Sequence, residues 1–499
     1  MPAVLVLVVV LSTLAASVAV GHLGRARVVA QDIHEAEALY AAEAGVTLAL
    51  ARLASDSAWR PAGELVPLPS SSEAVALLDT ASAPRVQETD DPPQVHLRAL
   101  GGYVEVVSVA RRGRAEATVT ARVAQRPPEA LRAAVVWGDT LAPLTLGGGT
   151  TVTGEVVTGP RGWTTGTLTR RPFRGGVDGP STAVRSDPLP ALDASTFQET
   201  LSRLDAYLDA APVPEAGVLV PAAVPEVGAG EGPFADSVAV FVATPGTVLT
   251  ALDVRALPEA GRVVVLCAGD IRLDGPLRLP MGAQVAARGR LDVTGAVEGE
   301  EVLLAADRVR VEGDVSLQGQ VLARRALTVG GGSRFSYPSV LYVAGPSASG
   351  AALARDDRLE IEDAVVGGAV VYAAGDGPPL GAAGGEASRL VASPEAVLRG
   401  VVYAARRAEV RGLVEGTLLA RGLYLFDSPA VYVGWLVDAT VDREARPDPF
   451  HVPVGLGRAP SFEVVQQRAS VRRIVPEAGG SIPRASGGPI RLDSAPAQP

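Results

Sequence analysis

The chain opens with an apolar run and continues in a helical pattern of hydrophobic residues. Residues 3–20, AVLVLVVVLSTLAASVAV, carry no charge, and eighteen apolar residues are the lower limit for a helix that crosses a bilayer. Farther along, apolar residues recur at helical spacing at Leu39, Ala42, Val46, Leu50 and Leu53. The pattern predicts one helix over residues 1–54, about 81 Å long, whose second half packs against a domain.

After residue 54 the hydrophobic period changes from 3.6 to 2. The stretches VHLRA, YVEVVSVAR and RAEATVTARVAQR, between residues 95 and 126, alternate apolar and polar residues and are separated by Gly-Gly and Arg-Gly turns. Such alternation is typical of antiparallel strands joined by short turns. A small antiparallel sheet is therefore predicted within residues 55–132.

The central region repeats one short pattern. The segment Ile271-x-Leu273-x-Gly275 has copies that begin at Leu291, Val309 and Leu327, at steps of 20, 18 and 18 residues. Alternation directs Val and Leu into a narrow core, and Gly permits the bend between two flat faces. A repeat of this length predicts a β-solenoid.

Weaker copies extend the predicted solenoid to residues 133–441. They begin at Leu144, Leu359 and Ala408. Residues 160–235 are rich in Pro and Gly and are interpreted as a partly helical insertion, with a helix that has Ser195 as its N-cap and Glu199 in its first turn. Residues 442–499 form a low-complexity segment that contains one strand or short helix, FEVVQQRASVRRIV. The fold class is therefore mainly β, with a long amino-terminal helix, a small antiparallel sheet and a β-solenoid.

Composition excludes several kinds of chemistry. The sequence has neither Lys nor Asn, so a Schiff-base lysine, a Walker-type phosphate lysine and an N-glycosylation sequon are excluded. Its four His residues lack metal-ligand spacing, so neither a metal site nor a cofactor is expected. The single cysteine, Cys267, lies in the apolar run VVVLCAGD and is predicted to be a core residue.

Catalysis on polysaccharides is the enzymatic alternative, because some solenoids of this coil length cleave sugars. Such enzymes place two carboxylates on one face of successive coils. The candidate pair is Asp356-Asp357, and neighbouring residues on a strand point to opposite faces. The expectation is therefore a protein that is not an enzyme.

One loop has the composition of a nucleic-acid contact. The stretch GPRGWTTGTLTRRPFRGG contains four arginines without an acid, interleaved with two aromatic residues. Guanidinium groups bind phosphates and aromatic faces stack on bases. The nucleic-acid-contacting residues are therefore predicted to be Arg161, Trp163, Arg170, Arg171, Phe173 and Arg174. The alternative is a solvated loop whose arginines pair with nearby acids.

The amino terminus resembles that of type IV pilins, in particular the PilX-type minor pilins. The matching residues are Arg25, Arg27, Glu35 and the motif Ala-Ala-Glu-Ala-Gly at residues 41–45. Pilins carry a short basic leader before the apolar run, whereas this sequence begins MPAVL, so we expect the true start codon upstream. A cleaved signal peptide ending near Ala19 and a simple single-span anchor are the alternatives.

The resemblance implies a function. A pilin-like helix and sheet with a solenoid is similar in architecture to competence minor pilins of the ComZ type, which implies a minor pilin that displays the solenoid for adhesion or DNA uptake. Its partners would be other pilins or pseudopilins, the inner membrane through residues 3–20, and DNA or a surface polysaccharide. It would be a single-pass inner-membrane protein before assembly and part of a pilus afterwards, with Glu43 and Gly45 serving assembly. The alternative is a membrane-anchored or secreted solenoid that serves as a surface adhesin or scaffold without a pilus.

Overall fold

The computed structural model describes residues 2–55, 92–168, 172–211, 219–221, 238–255, 257, 262–345, 358–373, 389–427, 430–457 and 461–473; for residues 2–10 and 252 it describes the backbone only. The predicted fold class is confirmed: one long amino-terminal helix, a small antiparallel sheet and a large domain of mainly parallel strands.

The helix and the small sheet form the first unit. Their elements are α1 (Pro2–Ser55), β1 (Gln94–Leu100), β2 (Tyr103–Arg112), β3 (Ala115–Gln125) and, from the far end of the chain, β30 (Phe462–Arg473). The strands are antiparallel in the order β1-β2-β3-β30, and we call them sheet A. The last strand lies within the segment predicted as low-complexity, so the solenoid is inserted between the third and fourth strands of this sheet.

The second unit is the solenoid, which follows a 3₁₀ turn at Glu129–Arg132. Its first elements are β4 (Val135–Trp137), β5 (Leu144–Gly147), β6 (Thr151–Thr153), β7 (Val156–Thr158), β8 (Trp163–Thr165), β9 (Gly176–Asp178), β10 (Ser181–Ala183), α2 (Ser195–Ala210), β11 (Leu219–Pro221), β12 (Val238–Ala243), β13 (Thr247–Leu249) and α3 (Ala251–Arg255). Then come β14 (Arg262–Cys267), β15 (Ile271–Asp274), β16 (Leu277–Arg278), β17 (Gln284–Ala287), β18 (Arg290–Thr294), β19 (Val297–Glu312), β20 (Val315–Val329), β21 (Ser333–Val343), β22 (Arg358–Ile361), β23 (Ala364–Tyr372), β24 (Arg389–Ala392), β25 (Val397–Val410), β26 (Leu413–Asp427), β27 (Ala430–Val433), β28 (Trp435–Val437) and β29 (Thr440–Asp442).

The predicted repeats are consecutive rungs of one face. Ile271 pairs with Leu291, Leu291 with Val309, and Val309 with Leu327, all in parallel. These four residues are buried in the core between three faces of stacked strands. The weaker copies follow in the same register, since Leu327 pairs with the predicted start at Leu359.

The stacking order differs from the order along the chain. Strand β4 pairs in parallel with β26, Val135 beside Leu418, and β7 and β10 continue the stack beyond it. The chain therefore builds one end of the solenoid first. It then crosses to the opposite end, where β12 starts the rungs that climb back through β14 and β17. The three rungs that come first in the sequence, β4, β7 and β10, therefore lie at one end of a stack whose other rungs come from later residues.

Helix α2 lies in the segment that crosses between the two ends, and it covers one face of the solenoid. Its buried side chains include Phe197, Leu201 and Leu204, and the Phe197 ring stacks on Tyr342 with centroids 4.0 Å apart.

The prediction that Ser195 is the N-cap is wrong. The helix begins at Ser195 itself, and the Asp193 carboxylate accepts a hydrogen bond from the Ser195 amide at 3.0 Å. Glu199 consequently lies beyond the first turn.

Sheet A is attached to the covered face through its Gly101-Gly102 turn. The buried side chain of Gln320 accepts a hydrogen bond from the Gly102 amide at 2.6 Å and donates one to the Leu100 carbonyl at 2.7 Å. The Gly101 amide donates to Thr200 of α2. Because these polar groups are buried, removing one partner would leave the other unsatisfied. The two units therefore have a fixed relation.

The prediction for Cys267 is confirmed. Its side chain is buried in the solenoid core, with the sulfur 3.3 Å from the Asp270 carbonyl oxygen. Burial raises the pKa of the thiol, so the residue packs as a small hydrophobic group.

Candidate functional site

The predicted nucleic-acid loop forms part of the last coil of the solenoid. Trp163 begins β8 and pairs with Leu144 of the preceding coil, while its indole N–H donates to the Ser181 hydroxyl at 2.8 Å. Trp163 and Phe173 are both half-buried and pack against the solenoid core. The two rings therefore cover the end of the core, which leaves less of each ring free to stack on a base.

The arginines of this loop are only partly described. Arg161 and Arg174 are exposed, and neither forms an ion pair with a residue that the structure describes. Arg170 and Arg171 lie outside the described residues. Two of the four predicted arginines, Arg161 and Arg174, therefore lie with the two predicted aromatic residues at one end of the solenoid.

A longer line of arginines follows one edge of the solenoid. At the position just before each inward-facing repeat residue, successive rungs place Arg290 beside Arg308, Arg308 beside Ala326, Ala326 beside Arg358, and Arg358 beside Arg389. Arg407 follows, because Leu390 pairs with Ala408. Neighbouring strands are about 4.8 Å apart, so the line extends about 24 Å. We call it the arginine row: Arg290, Arg308, Arg358, Arg389 and Arg407.

Some members of the arginine row have acidic partners. Arg358 lies 3.2 Å from Glu360, and Arg389 lies 3.3 Å from the buried Glu409. Arg308 lies 3.8 Å from Asp307. Arg290 has no ion pair with any other described residue. The acids reduce the positive charge of the row without cancelling it.

At its far end the row meets an aromatic ring. The Arg407 guanidinium lies 5.0 Å from the centroid of the Tyr424 ring, a cation–π distance. Burial raises the pKa of Tyr424, so the phenol remains neutral beside the guanidinium.

Further arginines flank the arginine row on the side of α2. Arg288 and Arg324 pair with Asp209 and Asp205 of that helix, and Arg421 lies 2.7 Å from Asp187. Arg325 and Arg406 lie at the register irregularities where one face of the solenoid turns into the next. This edge thus carries ten guanidinium groups, arranged along the solenoid axis. Phosphate groups recurring along a polymer are the ligands that such a line of charge suits.

Sequence reasoning missed the arginine row, although the signal was present. Arg290, Arg308, Arg358 and Arg407 each stand immediately before the first residue of a recognised repeat. Their line became visible only when the register showed that these repeats are adjacent rungs. The copy at Leu390, which places Arg389 in the row, was not recognised.

The predicted assembly residues lie where α1 crosses sheet A. The Glu43 carboxylate is half-exposed and has no partner among the described residues; only its backbone carbonyl accepts a bond, from Thr47. Gly45 is buried against the sheet, and a Cβ built there would lie 2.2 Å from the Ser108 hydroxyl and 2.7 Å from Val95. Gly45 therefore serves a contact within the subunit. The position of Glu43 leaves its charge available to another molecule.

The amino-terminal half of α1 projects beyond sheet A. Its side chains are exposed from residue 11 to residue 30, and the exposed large apolar residues of α1 are Leu11, Leu14, Val18, Val20, Leu23, Val28, Val29, Ile33 and Tyr40. Within the described part of the chain, no helix is both long and apolar enough to cross a membrane. The predicted span over residues 3–20 falls partly outside the described side chains.

Comparison with known proteins gives a distant likeness. No family model and no curated protein sequence matches the chain. Among solved structures, it is similar to the crystal structure of the competence-associated pilin ComZ from Thermus thermophilus, at 12% identity, over 88% of this chain and 98% of that chain, with a TM-score of 0.18. At that TM-score the likeness carries no weight for or against an assignment.

Metal ligands are not grouped in the described residues. Nowhere in that part of the chain do three or more His, Cys, Asp or Glu side chains form a cluster suited to a metal ion. Asp356 and Asp357, the adjacent carboxylates weighed for catalysis, lie outside it.

Proposed function

We propose that the protein is a non-enzymatic, pilin-like subunit that assembles through α1 and displays its solenoid outside the cytoplasm. The observation that supports this proposal is the division of α1 into two halves. Small residues such as Ala42 and Ala49 pack the second half against sheet A, whereas the first half exposes large apolar side chains. Exposed apolar surface of this extent marks an interaction site.

The partners that fit this helix are the corresponding helices of other pilins or pseudopilins. Before assembly, residues 3–20 would hold the subunit in the inner membrane as a single-pass protein. After assembly, the helices would pack side by side in the pilus at the cell surface. Glu43, whose carboxylate is unpaired among the described residues, would then meet a cationic group of a neighbouring subunit.

The first experiment places a photo-crosslinking amino acid, p-benzoylphenylalanine, at Tyr40 in the native host. Tyr40 lies on α1 and is 70% exposed, so a neighbouring helix would lie within reach. We expect crosslinks to a pilin-like subunit, identified by mass spectrometry. The same probe at Leu141, which is 85% exposed on the solenoid, is the control and should give none.

Glu43→Gln should reduce the Tyr40 crosslink roughly fivefold, the effect of an ion pair of about 1 kcal/mol. Crosslinks from Tyr40 to lipid or to non-pilin proteins alone would instead favour a membrane-anchored adhesin without a pilus. They would contradict the assembly proposal.

A second candidate function, favoured by the arginine row, is binding of a polyanion along the solenoid, with DNA as the first choice and an acidic surface polysaccharide as the alternative. Guanidinium groups one rung apart can contact successive phosphates while the polymer follows the solenoid axis. Each phosphate neutralised releases counterions, so the binding constant falls as salt rises.

The test compares two triple variants of equal charge change. Arg290, Arg308 and Arg358 are replaced by Gln in one, and Arg161, Arg170 and Arg174 in the other; Arg389 is kept because it pairs with the buried Glu409. We expect the row variant to lower the slope of log K against log salt by about 0.9 for each phosphate that it no longer neutralises. The measurement is fluorescence anisotropy with duplex and single-stranded DNA, and with an acidic polysaccharide as competitor.

Loss of binding in the loop variant alone would assign the contact to the end coil. Unchanged binding in both variants would reject the polyanion function.

A further inference from the structure

One face of the solenoid carries a long groove. The floor of the groove is formed by β16 and by residues 297–300, 315–318 and 334–336, which stack in parallel. In the coil before β16, helix α3 takes the place of a strand and contacts β16. The groove between α3 and these strands has a volume of about 1010 Å³, at the upper end of the range for small-molecule sites.

Two rows of polar side chains line this groove. In the first row Arg278 lies beside Glu298, and Glu298 lies beside Ser316. In the second row Glu300 lies beside Gln318. Neighbours within a row are about 4.8 Å apart, and the two rows are about 7 Å apart along the strands. The groove thus presents a grid of hydrogen-bonding groups that runs along the solenoid axis for about 14 Å, the distance across four strands.

The two carboxylates of the groove are held in place by the backbone between them. A Cβ at Gly299 would lie 2.8 Å from the Val302 side chain, so this residue is packed against its surroundings. Glu298 and Glu300, on either side of it, are both exposed to the groove. The next residue, Glu301, is turned away and forms ion pairs with two arginines of sheet A. The pair of free carboxylates is therefore a fixed feature of the floor.

The charges that line the groove are balanced. Arg255 of α3 and Arg278 provide two guanidinium groups, and Glu298 and Glu300 provide two carboxylates. All four side chains are exposed, and none of them forms an ion pair with a residue that the structure describes. All four are thus available to a ligand, and the site has no excess charge that would select a charged one.

The charged groups that flank the groove do not change this balance toward positive. Arg334 lies beside Ser316, and Asp314 comes just before the same strand; both are exposed. The Asp253 carboxylate of α3 accepts hydrogen bonds from Thr250. A phosphate polymer would meet two adjacent carboxylates here with no surplus of guanidinium groups. The polyanion that fits the arginine row therefore does not fit the groove.

The hydrogen-bonding groups of the groove suit a ligand rich in hydroxyls. The middle strand of the floor is paired along both edges, so a peptide cannot bind by adding a strand there. Recognition must use side chains: carboxylates that only accept, guanidinium groups that only donate, and the hydroxyl and amide of Ser316 and Gln318, which do both. A ligand hydroxyl can pair with every one of these groups, because it both donates and accepts.

Apolar side chains complete the site. Leu257 and Leu279 are buried at its wall, and Met281 is 36% exposed there. Such a surface can cover the C–H faces of sugar rings while the ring hydroxyls meet the polar rows, the mixture of apolar lining and few polar groups that is usual in ligand sites.

We propose that this groove binds a neutral polysaccharide chain along the solenoid axis. Glu298 and Glu300 would accept hydrogen bonds from hydroxyls of the sugar ring that lies over them, and Arg278 would donate to the neighbouring ring. The inference goes beyond the proposed function, since it concerns a face that the arginine row does not reach. Its failure would leave both the assembly and the polyanion proposals standing.

The experiment titrates the full-length chain, kept in a detergent without a sugar headgroup, with maltohexaose, cellohexaose and chitohexaose in a calorimeter. We expect at least one of these neutral hexasaccharides to bind with a Kd below about 1 mM. Binding should be unchanged between about 50 and 500 mM salt, because a neutral ligand releases no counterions. Failure of all three to bind would overturn the proposal, and so would an affinity that falls as salt rises.

The double variant E298A/E300A locates the binding site. We expect its affinity for the sugar to fall about tenfold or more, because hydrogen bonds to charged groups are among the stronger ones. The matched control is E362A/E395A, which removes two exposed carboxylates from another part of the solenoid and should bind as the wild type does. Both variants should keep the wild-type Tm, since none of the four carboxylates has an ion pair with a described residue.

The outcomes of this comparison are distinct. Equal affinity of E298A/E300A and wild type would overturn the proposal, as would an equal loss in both variants. DNA binding of E298A/E300A, measured by fluorescence anisotropy, should match that of the wild type. Displacement of DNA by the sugar would also overturn the proposal, because it would show that the groove is not a separate site.

Discussion

Replacing Gly400 by alanine is expected to destabilise the solenoid strongly. Gly400 lies in β25 with φ of +141°, and a Cβ there would lie 2.1 Å from the Gly368 carbonyl oxygen of the adjacent rung and 2.6 Å from the Phe450 ring. Neither the strained φ nor the clash with backbone can be relieved by rotating a side chain. Together they should cost about 2 to 5 kcal/mol of unfolding free energy.

The measurement is thermal unfolding followed by circular dichroism, with an expected fall in Tm of about 5 °C or more. Gly176→Ala is the matched control, because that glycine lies near the end of the stack with no atom within 4 Å of its Cβ position and no positive φ. A Gly400→Ala protein that melts with the wild type would show that the rungs can separate at this corner, contrary to the close packing of Gly400 on Gly368.

The solenoid rungs were predictable because their pattern is local. Alternation around Ile271, Leu291, Val309 and Leu327 determines which side chains point inward, and a nearly constant step places like residues above one another. The pairing of Val135 with Leu418 has no such local signal. Those residues are far apart in the sequence, and any rung with an apolar edge could in principle stack on either. The sequence alone therefore does not predict the order in which the rungs stack.

The same distinction explains the outcome for the candidate sites. Trp163 and Phe173 have the composition of a binding loop, yet their rings cover the end of the core, because an end coil has no further rung to bury its apolar side chains. Each arginine of the arginine row is ordinary by itself, and the five form a line only through the register. Composition predicts the kind of group, whereas the register decides which groups share a surface.

The motif Ala-Ala-Glu-Ala-Gly shows how far a helical pattern can be interpreted. The resemblance implied that Glu43 and Gly45 both serve assembly, but the side of the helix on which a partner lies depends on sheet A. The structure turns Gly45 toward the sheet and leaves the Glu43 carboxylate without a described partner. The packing around Gly45 therefore argues against an effect of Gly45→Leu on assembly alone.

Gly45→Leu should instead destabilise the packing of α1 on sheet A, by about 3 kcal/mol or more. Its Cβ alone would lie 2.2 Å from the Ser108 hydroxyl, 2.7 Å from Val95 and 3.2 Å from Pro93, and leucine adds three further carbons to a site with no free volume. The measurement is hydrogen exchange of the β2 and β3 amides, which should become faster as α1 detaches from the sheet.

Gly24→Leu is the matched control for that substitution, since it makes the same change in the same helix where nothing lies within 4 Å of the Cβ position. It should leave exchange in sheet A unchanged. If Gly45→Leu also left exchange unchanged but abolished the Tyr40 crosslink, Gly45 would be a contact between subunits. If exchange rises and the crosslink falls with it, the sheet must hold α1 before the helix can present Glu43 and Tyr40 to a neighbour, so assembly depends on the packing that Gly45 permits.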